Sequence, residues 1–239
     1  MQCPLCHSES SITLGKKEGF DIHICSECGL GYASPMPTAS ELDAIYSEYG
    51  MNSKALKYKN KKISRWFRRL YLISKLAPRG RSLDIGCNTG FTTEATRKLG
   101  FRANGIDLGQ ESISMAQELF PSCSFTEATA QDFVKTSSPF EFVTCSEVIE
   151  HLIELDSFGE ALNKLVVEDG ILYLTTPDLY HFLVPKDRIK FDQIGPPHHL
   201  IYFGKKQMRR FLEMHGFKVL FFVPVPHKAN LRVVAKKVS

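Results

Sequence analysis

From residue 81 onward the apolar positions fall into two alternating rhythms. Short apolar runs at 81–86, 102–107, 123–128, 141–147 and 170–177 read as strands. Between them, about 90–99, 110–120 and 156–167 carry apolar residues at helical spacing. Strand and helix in turn predict a parallel sheet covered by helices on both faces. The stretch 178–203 shows neither period; helix 205–215 follows, closed by Gly216, then strands at 217–223 and 230–237. Only those last two, joined by "PVPHKAN", are near enough in the chain to form a hairpin. The pattern therefore predicts an α/β domain over 80–239, mostly parallel and finished by an antiparallel hairpin.

The segment 35–79 reads as a linker and a helical cap. Pro35 and Pro37 enforce an extended link, Thr38 or Ser40 can cap, and Leu42, Ile45, Tyr46 and Tyr49 make a helical stripe. A second helix is expected over about 54–77, with Ile63, Trp66, Phe67, Leu70, Ile73 and Ala77 on one face. No acidic residue occurs between Glu48 and Asp84, whereas Lys54, Lys57, Lys59, Lys61, Lys62, Arg65, Arg68, Arg69 and Lys75 do. In a chain of net charge only +4 this is the strongest asymmetry. It suits the solvated face of a cap helix. It equally suits an electrostatic surface over 54–75 for an anionic partner: a nucleotide-linked substrate, an anionic lipid surface or RNA.

Residues 1–34 hold two pairs, Cys3-x-x-Cys6 and Cys25-x-x-Cys28, with eighteen residues between them. Two such turns can close a tetrahedral four-thiolate zinc site, and "ITLGKKEGFDIHIC" reads as a hairpin turning between Gly15 and Gly19, the layout of a zinc ribbon. A closed shell leaves no position for substrate, so Zn²⁺ would act structurally here. Cys123 and Cys145 read as apolar strand residues, and Cys87 lies in a glycine loop. The longest apolar run is far too short to span a bilayer, and the N-terminus does not resemble a secretory leader. A cytoplasmic protein with reduced thiols is expected.

Ligands of such sheets sit beyond the carboxyl ends of the strands. The first strand ends in Asp84-Ile-Gly86-Cys87-Asn88-Thr-Gly90, where Gly86 permits a tight turn and Gly90 a close approach. The second ends in Asp107, twenty-one residues beyond Gly86, where a carboxylate can accept two ribose hydroxyls. Gln131 and Asp132 follow the third strand and suit an adenine edge. "CSEVIEHL" after the fourth puts Ser146, Glu147, Glu150 and His151 at the mouth of the cleft. A dinucleotide's diphosphate needs bare backbone, but Asn88 stands where the central glycine would be, and Asp84 repels phosphate. A cationic donor reverses that sign: the sulfonium and ammonium of S-adenosylmethionine are favoured by Asp84, and its ribose by Asp107.

"LDIGCNTG", "GIDLGQESI", "VTCSEVIEHL" and "DGILYLTTPD" resemble the successive motifs of the class I S-adenosylmethionine-dependent methyltransferases, which have a Rossmann-like sheet; the likeness covers roughly 80 to 237. "CSECGLGYASPMP" resembles the front end of bacterial members with an N-terminal zinc ribbon, several of which act on sugars. "FDQI…HLIYF" and "HKANLRV" are similar to segments of the sugar C-methyltransferases among them. This chain, however, has "GPPHH" where those usually show His-Glu-His, so oxygen stands beside carbon as the methylated atom. The resemblance implies that Asp84, Gly86, Cys87, Asn88 and Gly90 line the donor's methionine end, with Ser146 closing it. It implies that Asp107 and Leu108 hold the ribose side, and that Gln131 and Asp132 reach the adenine.

Methyl transfer is an in-line displacement, so the protein must align the acceptor and take up a proton. His199 is the first candidate base, then His151 and Glu147, while Tyr202 is expected to orient the acceptor. His198 and His199 follow two prolines and can equally brace a loop. The long insert 178–203 suits a binding loop, its Lys186, Arg188 and Lys190 matching a sugar with an anionic group. A small-molecule acceptor, nucleotide-linked or glycan sugar, is the leading partner. An RNA methyltransferase and a donor-binding scaffold without catalysis are the alternatives. No Asn/Asp-Pro-Pro-aromatic motif of amino-nitrogen methylation follows the fourth strand.

Overall fold

In a computed structural model the protein is described over residues 2–38, 41 and 58–238. Three short strands come first: β1 (Ser11–Lys17), β2 (Phe20–Cys25) and β3 (Gly31–Ser34). Helix α1 (Lys59–Leu70) leads into β4 (Arg81–Ile85), α2 (Phe91–Lys98), β5 (Arg102–Asp107), α3 (Gln110–Leu119) and β6 (Ser124–Glu127). Then follow α4 (Ala130–Phe133), β7 (Phe140–Ser146), α5 (Leu155–Leu165) and β8 (Val166–Pro177). A short β9 (Ile201–Tyr202), α6 (Lys205–Met214), β10 (Phe217–Phe222) and β11 (Asn230–Lys237) complete the chain.

Seven strands form one sheet in the order β10-β11-β8-β7-β4-β5-β6. β8, β7, β4, β5 and β6 are mutually parallel, and β11 runs antiparallel to both β8 and β10. This is the Rossmann-like α/β sheet with a closing hairpin that the apolar periodicity predicts. Its central strands are almost wholly buried, as expected where helices cover both faces. On one face α1, α2 and α3 pack through Ile63, Phe91, Ala95, Ile113 and Phe120, and Leu70 with Ile73 meets Phe142, Tyr173 and Val234. On the other, Leu155, Phe158, Leu162, Met208 and Phe211 of α5 and α6 cover Leu83, Val143, Cys145 and Leu174.

The cap helix expected over 54–77 is shorter than its pattern. It runs Lys59–Leu70 and, after Tyr71 and Leu72, gives way to a 3₁₀ turn at Ile73–Leu76. Ala77 is extended, as a residue before Pro78 must be. Lys54, Lys57, Ser40 and the stripe Leu42, Ile45, Tyr46 and Tyr49 lie outside the described residues. Thr38 and Glu41 do bond reciprocally: the Thr38 backbone N–H and hydroxyl donate to Glu41 Oε2, at 2.7 and 2.8 Å, and Glu41 N donates to Thr38 Oγ1 at 3.4 Å.

The N-terminal hairpin turns at Glu18 and Gly19, both with positive φ (50° and 84°), a geometry that matches strand twist. Gly15 instead sits inside β1, at a bulge. The insert 178–203 is not the single irregular lid expected over the cleft. Arg188–Lys190 form a 3₁₀ turn packed on the ribbon, where Ile189 lies against Gly15 and Lys17 Nζ donates to Phe191 O at 3.1 Å. β9 then pairs antiparallel with β3, so the ribbon sheet reads β1-β2-β3-β9. Leu5, Ile22, Leu30 and Tyr32 share one apolar core with Phe158, Phe203 and Met208. The ribbon is thereby fused to the main sheet.

Candidate functional site

Two non-glycine residues with positive φ mark the carboxyl ends of the central strands: Asn88 (46°) after β4 and Glu147 (57°) after β7. Such backbone costs about 1–3 kcal/mol and persists where surroundings enforce it. Around Asn88 the enforcing contacts are visible. Gly86 and Cys87 both donate their N–H to Ile106 O at 2.9 Å, tying the loop to β5. Asn88 N donates to Asp107 Oδ2 at 2.8 Å, and Gly109 N to Asp107 Oδ1 at 2.9 Å. Each Asp107 oxygen thus has one partner and keeps lone pairs for the hydroxyls of a ribose. Leu108 beside it is 50% exposed, an apolar flank at the cleft edge.

Other residues expected in this part of the cleft sit differently. Asp84 is 2% exposed, and its oxygens accept from Thr144 Oγ1 at 2.8 Å and Thr93 Oγ1 at 3.0 Å. It is thus closed off beneath the loop rather than exposed on its surface. Burial, partly offset by those two hydroxyls, raises its pKa to about 7. Cys87 is buried against Gly105 and Phe125, its thiol pushed well up by burial: it is core, not wall. Gly90 is bare because the Phe125 and Phe120 rings occupy the space of a Cβ, so its close approach is to the fold itself. Asp132 stands at the start of α4 with its carboxylate already engaged. Its oxygens bind Thr129 Oγ1 and Lys135 Nζ, at 2.8 and 2.7 Å, capping α4, and those partners hold its pKa down. Gln131 is tied by its amide to Ser157 Oγ at 3.3 Å.

A polar network crosses the ends of β7, β8 and β11. Ser146 Oγ lies 2.7 Å from Thr175 Oγ1, which donates to Glu147 Oε1 at 2.7 Å. Asn230 Nδ2 donates to that same oxygen at 2.9 Å. Glu147 is therefore held by two donors and is buttressed as a site residue. Thr175 and Asn230 were missed by the sequence reading, although both lie in the quoted stretches "DGILYLTTPD" and "HKANLRV".

On the far side of Glu147, His151 and His199 meet edge-on with ring centroids 4.9 Å apart. His151 Nδ1 contacts His198 O at 2.6 Å, and His199 Nδ1 contacts Gln193 O at 2.8 Å. A carbonyl only accepts, so both rings carry their proton on Nδ1 when neutral, and the basic nitrogen is Nε2. Burial, with the His199 ring beside it, lowers the His151 pKa to about 4. Glu150 is 1% exposed; Thr176 Oγ1 donates to its Oε2 at 2.9 Å, while Oε1 is buried without a hydrogen-bond partner. Burial and the neighbouring Glu147 raise the Glu150 pKa to about 8. The ligand atoms of Glu150, His151 and His199 lie within 4.8 Å of one another, close enough to converge on one small ion or proton-sharing guest. Tyr202 does not face an acceptor: it is 3% exposed and its hydroxyl donates to His199 O at 2.6 Å. It positions His199.

The cysteine pairs converge as their spacing predicts. Cys3 and Cys28 Sγ are 3.5 Å apart, as are Cys6 and Cys25. Tetrahedral Zn–S bonds of about 2.3 Å imply S···S edges of about 3.8 Å, so the four thiols fit a zinc ion after a small expansion. The Cys28 thiol's hydrogen bond lowers Cys3 to about 5 and raises Cys28 in turn, an arrangement with anionic character already present.

Residues 56–220 match the model of a methyltransferase-domain family. The chain belongs to the class I S-adenosylmethionine-dependent methyltransferases. A ubiquinone biosynthesis O-methyltransferase of Colwellia psychrerythraea is 28% identical over 149 residues, 58% of this chain and 61% of that one. The mitochondrial enzyme of that name from Bos taurus is 34% identical over 102 residues, covering 39% of this chain and 28% of its own. The chain thus spans less than two thirds of the length of these two relatives.

Among solved structures, an S-adenosylmethionine-dependent methyltransferase from Clostridium acetobutylicum superposes with a TM-score of 0.58 at 14% identity, covering 84% of this chain and 99% of that one. The [4+2]-cyclase SpnF superposes equally well (TM-score 0.59, 15% identity, 72% and 81% covered). Fold likeness of that degree shows the methyltransferase scaffold, and the cyclase shows that scaffold and reaction are separable. The family match makes S-adenosylmethionine the donor to weigh against this cleft. The cleft fits that group through the spare lone pairs of Asp107 and the exposed Leu108. No helix among the described residues is long and apolar enough to cross a membrane.

Proposed function

We propose that this methyltransferase is an O-methyltransferase acting on a hydroxyl of a small metabolite, with His199 as the proton acceptor. The observation that carries the reading is the His199 ring. Gln193 O fixes its Nδ1–H, Tyr202 fixes its backbone, and Nε2 is left as the basic atom beside the end of β7. His151, held near a pKa of about 4, is too weak a base to share that role at neutral pH and instead sets the edge of the His199 ring. Two relatives' printed names, ubiquinone biosynthesis O-methyltransferase, support oxygen as the methylated atom.

In this reading the bound donor supplies an electrophilic methyl group on a sulfonium. Asp107 would hold the donor's ribose and Asp84 would favour its positive charge from below the loop. His199 Nε2 would take the acceptor's hydroxyl proton as the oxygen attacks. Glu147, clamped by Thr175 and Asn230, would orient the acceptor from the other wall. A sugar hydroxyl suits the insert's aromatic and polar lining and is the finer reading. Cys3, Cys6, Cys25 and Cys28 would hold a structural Zn²⁺ that takes no part in transfer. Labelled donor, incubated with fractionated metabolites, nucleotide sugars and RNA, tests this directly. Label on a small molecule as an acid- and base-stable methyl ether supports the proposal; label on RNA alone, or on carbon, rejects it.

A further inference from the structure

Ser146, Thr175 and Arg232 are register partners across β7, β8 and β11 at the carboxyl end of the sheet. Paired residues present their side chains on one face. That face is the one under α1, because the next pair down, Tyr173 and Val234, packs against Leu70 and Ile73. Arg69 of α1 is half-buried there and lies over the Trp66 ring at 4.4 Å. Arg232 is aimed by its Nε–H, which donates to Asn230 Oδ1 at 3.2 Å, and Asn230 in turn holds Glu147.

Among the described residues none of Arg65, Arg69 and Arg232 forms an ion pair. The fully buried Tyr173 hydroxyl lies beside them and is within reach of the Arg69 guanidinium, which places Arg69 over the end of β8. Burial lowers the Arg69 pKa, as do the like charges of Arg232 and Arg65, while Tyr173 and Glu147 act the other way. Arg69 and Arg232 are part-buried like charges with Arg65 exposed at their rim, an arrangement that is costly unless an anion completes it. Guanidinium forks match the paired oxygens of carboxylate and phosphate.

We infer that Arg65, Arg69 and Arg232 form an oxyanion subsite that holds a carboxylate or phosphate carried by the methyl acceptor. The substrate is then an acidic metabolite, oriented by its anion one strand away from Thr175 and Glu147. The inference rests on the reading that the acceptor lies over the ends of β7 and β8. In the insert, Lys190 already pairs with Asp187 at 3.1 Å and Arg188 lies over Tyr180 at 5.0 Å, so Arg65, Arg69 and Arg232 are the arginines we assign to the anion.

The test uses the full chain saturated with S-adenosylhomocysteine, titrated calorimetrically with inorganic phosphate and with benzoate at constant ionic strength in chloride. One or both anions should bind, at least tenfold more weakly in Arg69→Gln and in Arg232→Gln, and within twofold of wild type in Arg68→Gln on the same helix. Phosphate alone identifies a phosphorylated acceptor, benzoate alone a carboxylic acid. If neither binds, or if the two variants bind as wild type does while S-adenosylhomocysteine is still held, the subsite does not exist. Loss of S-adenosylhomocysteine binding by the wild-type protein would instead overturn the cleft reading beneath it. Once the acceptor is in hand, Arg232→Gln should raise its KM at least tenfold with little change in kcat.

Discussion

Asp84 offers the sharpest measurement of how the cleft was built. Its carboxyl is moved from the ordinary 3.8 to about 7, chiefly by burial. Each pKa unit corresponds to about 1.4 kcal/mol, so about 4 kcal/mol separates its ionisation in the folded protein from that in the unfolded chain. The folded state holds the proton more tightly, so this contribution favours the fold fully below pH 4. It is lost as pH rises from about 4 to 7. A cationic donor favours the ionised form and must therefore expel the proton. With an apo pKa of about 7, some 0.9 proton should leave per donor bound at pH 6. If only the ionised form binds, affinity at pH 5.5 is about 30-fold weaker than at pH 8.

Titration calorimetry of S-adenosylmethionine at pH 6, in buffers of different ionisation heat, counts those protons. S-adenosylhomocysteine, which lacks the sulfonium charge, should release fewer. Asp84→Asn assigns the effect, since Glu150 also has a raised pKa. The variant should release no proton from this site, and its apo stability should fall less between pH 4 and 7 than the parent's, by about 4 kcal/mol, the remaining fall coming from Glu150. At pH 8 it should be about 2–3 kcal/mol more stable than the parent, after about 1 kcal/mol for reversing the hydrogen bonds of Thr93 and Thr144. It should still bind the donor more weakly. Equal donor affinity at pH 5.5 and 8, with no proton release at pH 6, would refute the electrostatic account.

His199→Gln should lower kcat by about 10²–10⁴-fold while leaving donor affinity within a few-fold, measured by single-turnover transfer and calorimetry. Tyr202→Phe removes only the hydroxyl that holds the His199 backbone, so kcat should fall with a smaller factor, about tenfold, and a fold unchanged by circular dichroism. Stripping metal with a chelator, or Cys25→Ser, should loosen the ribbon and abolish transfer, with proteolysis appearing in residues 186–200 before the main sheet. Neutralising Lys186, Arg188 and Lys190 together should leave acceptor KM within twofold if Arg69 and Arg232 hold the anion; a tenfold rise would place the acceptor on the insert after all.

The periodic part of the fold was legible because strands buried on both faces read as apolar runs and helices between them keep a 3.6 repeat. Helix α4 was not, since four residues are too few to show a period. In the site, Asp84, Gly86, Asn88 and Asp107 were placed on the right loops by counting from strand ends. What those residues face was hidden. The hydroxyl of Thr144 that satisfies Asp84 comes from β7, sixty positions away. Tyr202 was given the wrong task because a hydroxyl's direction depends on strand register, here the pairing of Ile201 and Tyr202 with β3. The same holds for Arg232, which reaches the cleft only because β11 aligns it with Thr175.

That register also shows how the cysteine-bearing ribbon is joined to the main domain. The family match begins at residue 56 and leaves the ribbon out. Yet β3 carries β9, which starts two residues after His199, and Ala33 N donates to Leu200 O at 2.8 Å. From the other side Leu200 N donates to Glu150 O at 2.8 Å. Leu200 is therefore clamped between the ribbon and the turn after β7, and His199 is the residue just before the clamp. Gln207 Nε2 on α6 donates to Cys28 O at 2.7 Å, tying a metal ligand's backbone to the main domain. A loop with two adjacent prolines has no ladder of its own to hold a base in place. The ribbon sheet provides that ladder through β3, so a zinc ion held by the four cysteines would help set the place of His199 without meeting the substrate.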